Sequence, residues 1–405
     1  MKKTLFTQIE GGKSFYALLG ALAAVILIGL LAVYYMEHDG HWVTGMTNQI
    51  VWGMPHVFAI FLIVAASGAL NVASIGSVFG KKVYKPLAPL SALLAITLLI
   101  GGLMILVLDL GRPDRLIIAM TYYNFKSIFA WNIILYNGFI VLVAIYLWTM
   151  MEKRMNRFTT VAGYAAFIWR LILTTGTGSI FGFLVARQGY DAAIMAPMFI
   201  LMSFSFGLAI FMLVLMTTYK WTERPLGDLI LRRLRTLLAI FVAGVFYFVV
   251  TMYITNMYAT EKHGVVSFIL RDGGIYTFLM WVGYFLVGTV LPLALLFHPA
   301  TKDSRKAITA ASWLVILGGL SLLYVIIIGG QAYPLDIFPG YEIINSSFEG
   351  SVGSSFYTYI PTLAEFLLGF AGVAMALAMT AVGMNALRFL PHSLADEEVD
   401  PHAKG

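Results

Sequence analysis

The sequence contains no cysteine. Without thiolates it can ligate no iron–sulfur cluster and attach no haem covalently. Histidine is nearly as scarce. His38, His41, His56, His263, His298, His392 and His402 are the whole set. Only His56 falls inside an apolar block, with His298 at the end of another. A b-type haem held between two facing histidines lacks its ligands here, so the expectation is a chain with no haem, no iron–sulfur cluster and no metal. No GxxxxGK[ST] run occurs, which excludes an ATP-driven pump working alone. Charge is the third shortage. Only 11% of residues are charged, against about 25% in soluble domains. The net charge of +6 has no soluble basic face to sit on, so a nucleic-acid partner is excluded.

What fills the space is hydrocarbon. Sixty per cent of residues are hydrophobic and the mean hydropathy is +0.86, so the chain needs membrane lipid around it. The apolar residues form blocks long enough to cross a hydrocarbon core of about 30 Å. They lie at about 14–36, 49–77, 87–109, 127–151, 160–186, 192–219, 235–258, 275–298, 307–331 and 360–387. The second and fifth are long enough to tilt or kink. The fold class is therefore all-α, a polytopic membrane protein of about ten transmembrane helices, and a chain of 405 residues has no room left for a globular catalytic domain. The first block follows Lys2 and Lys3 but meets no small-residue cleavage site before Glu37-His38-Asp39, and it reads as a retained helix rather than a signal peptide.

Lysine and arginine fix the orientation. Nineteen of the 26 fall on the side of the N-terminus: Lys2, Lys3, Lys13, Lys81, Lys82, Lys85, Lys153, Arg154, Arg157, Lys220, Arg224, Arg232, Arg233, Arg235, Lys302, Arg305, Lys306, Arg388 and Lys404. Six fall on the other: Arg112, Arg115, Lys126, Arg187, Lys262 and Arg271. The positive-inside rule makes the basic side cytoplasmic. Both termini are then expected inside a bacterial or archaeal inner membrane, and an even helix count agrees.

Polar groups within the apolar blocks are costly and usually functional. His56, in Trp52-Gly53-Met54-Pro55-His56, is expected about two turns into the second block. It can bond a carbonyl freed by Pro55, or serve as a titratable donor to a quinone carbonyl, since imidazole changes charge near neutral pH. Asp109 opens Asp109-Leu110-Gly111-Arg112-Pro113-Asp114-Arg115. These alternating charges make either a rigid salt-bridged turn or a proton intake and docking face, with Arg112, Asp114 and Arg115 as its outer residues. Arg170 sits in the middle of the fifth block and needs a carboxylate, carbonyls or a wet cavity. Thr174-Thr175-Gly176-Thr177-Gly178-Ser179 follows it. The run is either a close packing surface whose hydroxyls bond carbonyls one turn back, or part of a site. Glu365, five residues into the last block, either snorkels out or carries protons with a pKa raised by burial. His56, Asp109, Thr175, Thr177, Ser179 and Glu365 all fall in the half of the membrane away from the basic side. A polar pocket there, with Arg170 below it, is the layout of a quinone headgroup site with a proton path.

The Asp109-Leu110-Gly111-Arg112-Pro113 turn, Ser127 and Trp131, and Gly182 with Pro197 and Gly207 resemble the NrfD/PsrC family, the membrane subunits of polysulfide-reductase-type complexes. The ten-helix length and the Tyr359, Pro361, Glu365, Gly369 pattern are similar to its longer branch. The run from Thr175 to Tyr190 looks most like the DsrP branch, from the DsrMKJOP sulfur-metabolism complex. The resemblance covers nearly the whole chain. It implies two four-helix bundles, about 49–186 and about 192–331, with flanking helices at about 14–36 and 360–387. The sequence echoes this faintly, because the second and sixth blocks each start with a proline and reach a glycine about three turns later. The resemblance also implies an exchangeable quinone, menaquinone or ubiquinone, bound in the first bundle near the periplasmic face. The implied partners are a periplasmic ferredoxin-like iron–sulfur subunit, cytochrome subunits and other members of the same complex. One departure stands out. Shorter members carry a quinone-contacting tyrosine about where Ile180 stands here, so ligation must differ. Two other classes remain open: a secondary transporter, for which the glycines of the fifth block would mark a broken helix, and a structural anchor whose buried polar residues are dispensable.

Overall fold

The computed structural model describes residues 5–335 and 356–400. Lys2, Lys3, His402 and Lys404 lie outside the described residues. Among the described residues, ten helices are long and apolar enough to span a membrane. They are α1 (Lys13–Asp39), α2 (Met54–Ser77), α3 (Lys82–Leu108), α4 (Ile128–Met151), α5 (Asn156–Gly182), α6 (Met195–Trp221), α7 (Asp228–Tyr258), α8 (Ile275–Phe297), α9 (Arg305–Ala332) and α10 (Leu363–Ala386). The chain is an all-α polytopic membrane protein.

Position in the bundle follows from the width of each apolar face. α2 is apolar or small all round from Val57 to Ala69 and is buried along 94% of its most apolar window, against 17% for α1. A helix with no polar stripe belongs in the centre. There α2 packs against α3, α5, α6, α9 and α10, while α1 rests on α10 at the rim. Helices α2, α3, α4 and α5 neighbour one another in a ring, and α6, α7, α8 and α9 form a second. The rings meet where α2 crosses α6. A Cβ at Gly68 would collide with the Ser203 carbonyl, and one at Gly207 with the Ala69 backbone. Gly207 is the residue that the proline-to-glycine spacing marks in the sixth block, and its counterpart in the second block is its direct neighbour.

Of the two blocks expected to tilt or kink, α2 is interrupted and α5 is not. The α-helix of α2 ends at Ala69 and restarts at Asn71. The Ser91 hydroxyl of α3 stands inside the ladder, donating to Ala69 O (2.6 Å) and accepting from Ala73 N (3.0 Å). A side chain inserted into the i→i−4 bonds is a sufficient cause of a kink. α5 runs unbroken from Thr159 through Gly176 and Gly178 to Gly182, so the broken helix that a transporter would place there is absent. Its glycines serve packing instead. Added Cβ atoms would crowd Leu135 at Gly176 and, at Gly178, lie 2.7 Å from Met195 O.

On the basic side β1 (Phe6–Thr7) pairs antiparallel with β2 (Leu390–Pro391), with Phe6 opposite Pro391 and Thr7 opposite Leu390. Both ends of the described chain therefore lie on one face, as an even number of crossings requires.

Candidate functional site

His56 lies in the first turn of α2, not two turns in, because helix starts only at Met54. Gly53 is extended, and Pro55, which has no N–H to satisfy, occupies the first helical positions. The non-helical strand before it is fastened from elsewhere. Gln331 of α9 accepts from Val51 N (2.9 Å) and Trp52 N (3.1 Å) and donates to Trp52 O (3.0 Å). Arg187 clamps Gln49 O (2.7 Å) and Gln331 O (2.9 Å). Tyr359 OH accepts from Met54 N (2.6 Å) and donates to Glu365 Oε1 (2.6 Å).

Asp109 ends α3 and turns inward, and its side chain is fully buried. Its Oδ2 stands 2.9 Å from His56 Nδ1. The approach is out of line for a hydrogen bond, so the contact is one of charge and proximity, and neither carboxylate oxygen nor Nδ1 has a hydrogen-bond partner among the described residues. The rest of the turn faces out. Arg112 forks onto Asp114 at 3.0 and 3.1 Å, on an exposed surface that Arg115 shares. The hydrogen bond and charge of Arg112 hold the Asp114 carboxyl below the usual carboxylate range. The motif thus divides: its outer residues form the salt-bridged turn, and Asp109 alone belongs to the interior.

His56 lines a partly open cavity of about 440 Å³ between α2, α3, α4 and α5, with Ile327 of α9 at its wall, on the side opposite the basic face. Its walls are mainly apolar and aromatic, with Trp52, Phe129 and Phe181 around the histidine. Trp52 stacks on His56 at 6.1 Å between centroids and meets Phe181 edge-on at 5.9 Å. Polar atoms come from α4. Asn132 Nδ2 donates to Ile128 O (2.9 Å) and Gly176 O (3.2 Å), and Tyr136 OH stands 3.4 Å from Thr177 Oγ1. Ile180 is on the wall. A residue at that position does reach the cavity, but the nearby hydroxyl is that of Tyr136 on the facing helix.

The remaining candidates do not line this space. Thr175 is exposed on the outer face of α5. Thr174 is the buried neighbour, donating to Ser67 Oγ (2.6 Å) and Arg170 O (2.8 Å). Ser179 is buried, off the cavity wall. Arg170 is fully buried about two turns toward the basic side. Among the described residues it has no carboxylate partner: it donates to Asn71 Oδ1 (3.0 Å) and Ser67 O (3.3 Å) and lies over Phe167 (4.8 Å) and Phe204 (4.9 Å). Such carbonyl and ring-face partners are what a cation without a counter-ion requires. Glu365 neither snorkels nor faces the cavity. It is fully buried, closing a capping box at the start of α10. Its Oε2 accepts from Gly45 N (3.0 Å), Thr362 N (2.7 Å) and Thr362 Oγ1 (3.2 Å). Thr362-Leu363-Ala364-Glu365 before an apolar run is the sequence sign of such a box. Sequence reasoning also missed Gln331, whose only sign is that it is a lone amide in an apolar run, and Tyr136 and Asn132, which need the tertiary contact to stand out.

The polysulphide reductase NrfD family profile matches residues 42–334. This chain belongs to that family. Among its relatives, the Hdr-like menaquinol oxidoreductase integral membrane subunit of Archaeoglobus fulgidus is 28% identical over 98% of this chain and 99% of its own length. A selenate reductase subunit of Mesobacillus selenatarsenatis is 24% identical over 88% and 90%. A polysulfide reductase subunit of Wolinella succinogenes is 24% identical over 71% and 96%. The last is the more distant in extent. Its match leaves over a quarter of this NrfD-family protein unmatched, in keeping with a longer branch.

Proposed function

We propose that this chain is the quinone-interacting membrane subunit of an electron-transfer complex, and that the quinone headgroup sits in the cavity beside His56. One observation carries the reading: a mainly apolar cavity is lined by His56, whose Nδ1 stands 2.9 Å from the buried Asp109 carboxylate behind the wall. A few polar groups placed on a mainly apolar wall are what orients a ligand in such a site. The volume of about 440 Å³ falls within the roughly 300–1,000 Å³ of small-molecule sites, and the Trp52, Phe129 and Phe181 rings suit a flat aromatic headgroup. Menaquinone or ubiquinone, when bound, supplies the two-electron, two-proton chemistry that the side chains lack. With Nδ1 turned to Asp109, His56 has Nε2 left to exchange a hydrogen bond and a proton with a carbonyl or hydroxyl in the cavity. Asp109 holds the ring and offsets its charge when protonated. Tyr136, with Thr177 behind it, replaces at the α4 wall the tyrosine that other members carry at the position of Ile180.

The two rings, about 49–186 and 192–331, are taken as two units, of which the first holds the quinone. The basic side is read as cytoplasmic, which puts the cavity and the Arg112–Asp114–Arg115 surface at the periplasmic face of a bacterial or archaeal inner membrane. A ferredoxin-like iron–sulfur subunit docks there and exchanges electrons with the quinone, with cytochrome subunits in the same complex. The DsrP-like run from Thr175 to Tyr190 supports a place in dissimilatory sulfur metabolism. Relatives named as menaquinol oxidoreductase, selenate reductase and polysulfide reductase subunits support the class.

The test is His56→Ala. The side chain is at the cavity wall and 20% exposed, so assembly with the partner subunits should survive. Quinone-linked electron transfer should fall roughly 10²–10⁴-fold, the usual worth of a positioned acid–base group. An assembled variant with undiminished transfer would favour the structural anchor instead.

A further inference from the structure

A second cavity, about 820 Å³, opens on the basic side between the ends of α2, α4 and α10 and the starts of α3 and α5. Two cations line it, Lys85 and Arg388, and no acid does. Neither takes part in an ion pair among the described residues, whereas Arg235 and Arg305 on the same face are matched to Asp303 (3.1 Å) and Asp228 (2.9 Å). The neighbouring hollow around Arg224 and His392 has Glu10 and Glu223 in its wall and is close to neutral. The floor of the Lys85 crevice is polar and buried: Tyr146, 1% exposed, donates to Ser77 Oγ at 2.8 Å. Its rim is apolar. Met151 and Leu387 are 40% and 44% exposed, at the depth where acyl chains begin.

We propose that this crevice seats the phosphate headgroup of an anionic phospholipid from the basic-side leaflet, with Lys85 and Arg388 on the phosphate and the acyl chains leaving past Met151 and Leu387. Basic pockets between helices on this side of a membrane suit such headgroups, each lysine or arginine near the surface adding about 1 kcal/mol. That corresponds to about fivefold in affinity for each cation and about thirtyfold for the pair. The exposed apolar part of the rim, Met151 and Leu387, suits a lipid rather than free phosphate, which has no chains to cover. The site stands apart from the quinone cavity and does not depend on it.

The test follows the thermal unfolding of the purified chain in a neutral detergent, titrated with phosphatidylglycerol, phosphatidylcholine or soluble glycerophosphate. The expected result is saturable stabilisation by phosphatidylglycerol alone. In Lys85→Gln/Arg388→Gln the apparent affinity should drop about thirtyfold. Lys153→Gln/Arg154→Gln, which removes the same charge outside the crevice, should change it less than about threefold. Equal stabilisation by phosphatidylcholine would overturn the proposal, as would an equal loss in the two double variants, which would show diffuse attraction only. Saturation by glycerophosphate would reassign the crevice to a soluble anion. The comparison of lipids on the unaltered chain decides the matter even where a variant folds poorly.

Discussion

Glu365→Gln separates a structural carboxylate from a proton carrier. Four donors converge on Glu365: Gly45 N, Thr362 N and Thr362 Oγ1 on Oε2, and Tyr359 OH on Oε1. A glutamine amide can face only one of these groups with its oxygen. The least costly placement keeps that oxygen toward the three donors and turns NH₂ toward Tyr359 OH, which already accepts from Met54 N. The 2.6 Å bond is then lost, the tyrosine hydrogen has no acceptor, and three bonds to a charged oxygen become bonds to a neutral one. Hydrogen bonds to charged groups are worth about 1.5–3 kcal/mol each. Relief of burying a charge offsets part of the loss, which leaves a destabilisation of about 2–4 kcal/mol. For a chain this long that lowers the melting temperature by roughly 5 °C. Intrinsic tryptophan fluorescence measures it, since the chain has eight tryptophans and no cysteine for thiol dyes. Tyr359→Phe is the companion variant. It breaks the same link between α10 and the start of α2 but removes no proton carrier, so the two should lose stability and electron transfer in parallel. A Glu365→Gln chain that melts like the unaltered one yet transfers no electrons would refute this reasoning and restore Glu365 to a proton path.

Asp109→Asn should leave folding intact and slow quinone-linked transfer about 10–100-fold, the usual effect of losing an outer partner that orients a histidine; steady-state turnover of the assembled complex checks it. Arg170→Met strands no carboxylate, since none of the described residues places one beside Arg170, and costs only the bonds to Ser67 O and Asn71 Oδ1. The variant should insert and assemble with its melting point within about 5 °C, the loss of two acceptors' donors at about 1–3 kcal/mol being offset by the loss of a buried cation; failure to insert would contradict this. Reporter fusions at the C-terminus and in the 37–48 segment should report cytoplasm and periplasm respectively, and the reverse would invert every statement about which face the cavity serves.

The sequence by itself determined the ten spans and their alternation, because membrane insertion depends on apolar length and flanking charge, both local and nearly additive along the chain. It also marked His56, Asp109 and Thr177, since a polar residue inside an apolar block stands out whatever surrounds it. What each polar group meets was decided only by the tertiary structure. Arg170 found an amide and two rings where a carboxylate was equally permitted, and Glu365 turned back onto its own helix start and the 45–54 segment. Thr175 and Thr174 are adjacent in sequence, yet α5 is rotated so that one faces outward and the other bonds Ser67. Rotation about a helix axis is set by packing against neighbours, here by glycines at close crossings, and a nearly uniform apolar surface carries too weak a periodic signal to reveal it. The kink in α2 has the same origin. Block length and the Ser67-Gly68 pair permitted a kink, but Ser91, which enters the ladder, lies on another helix.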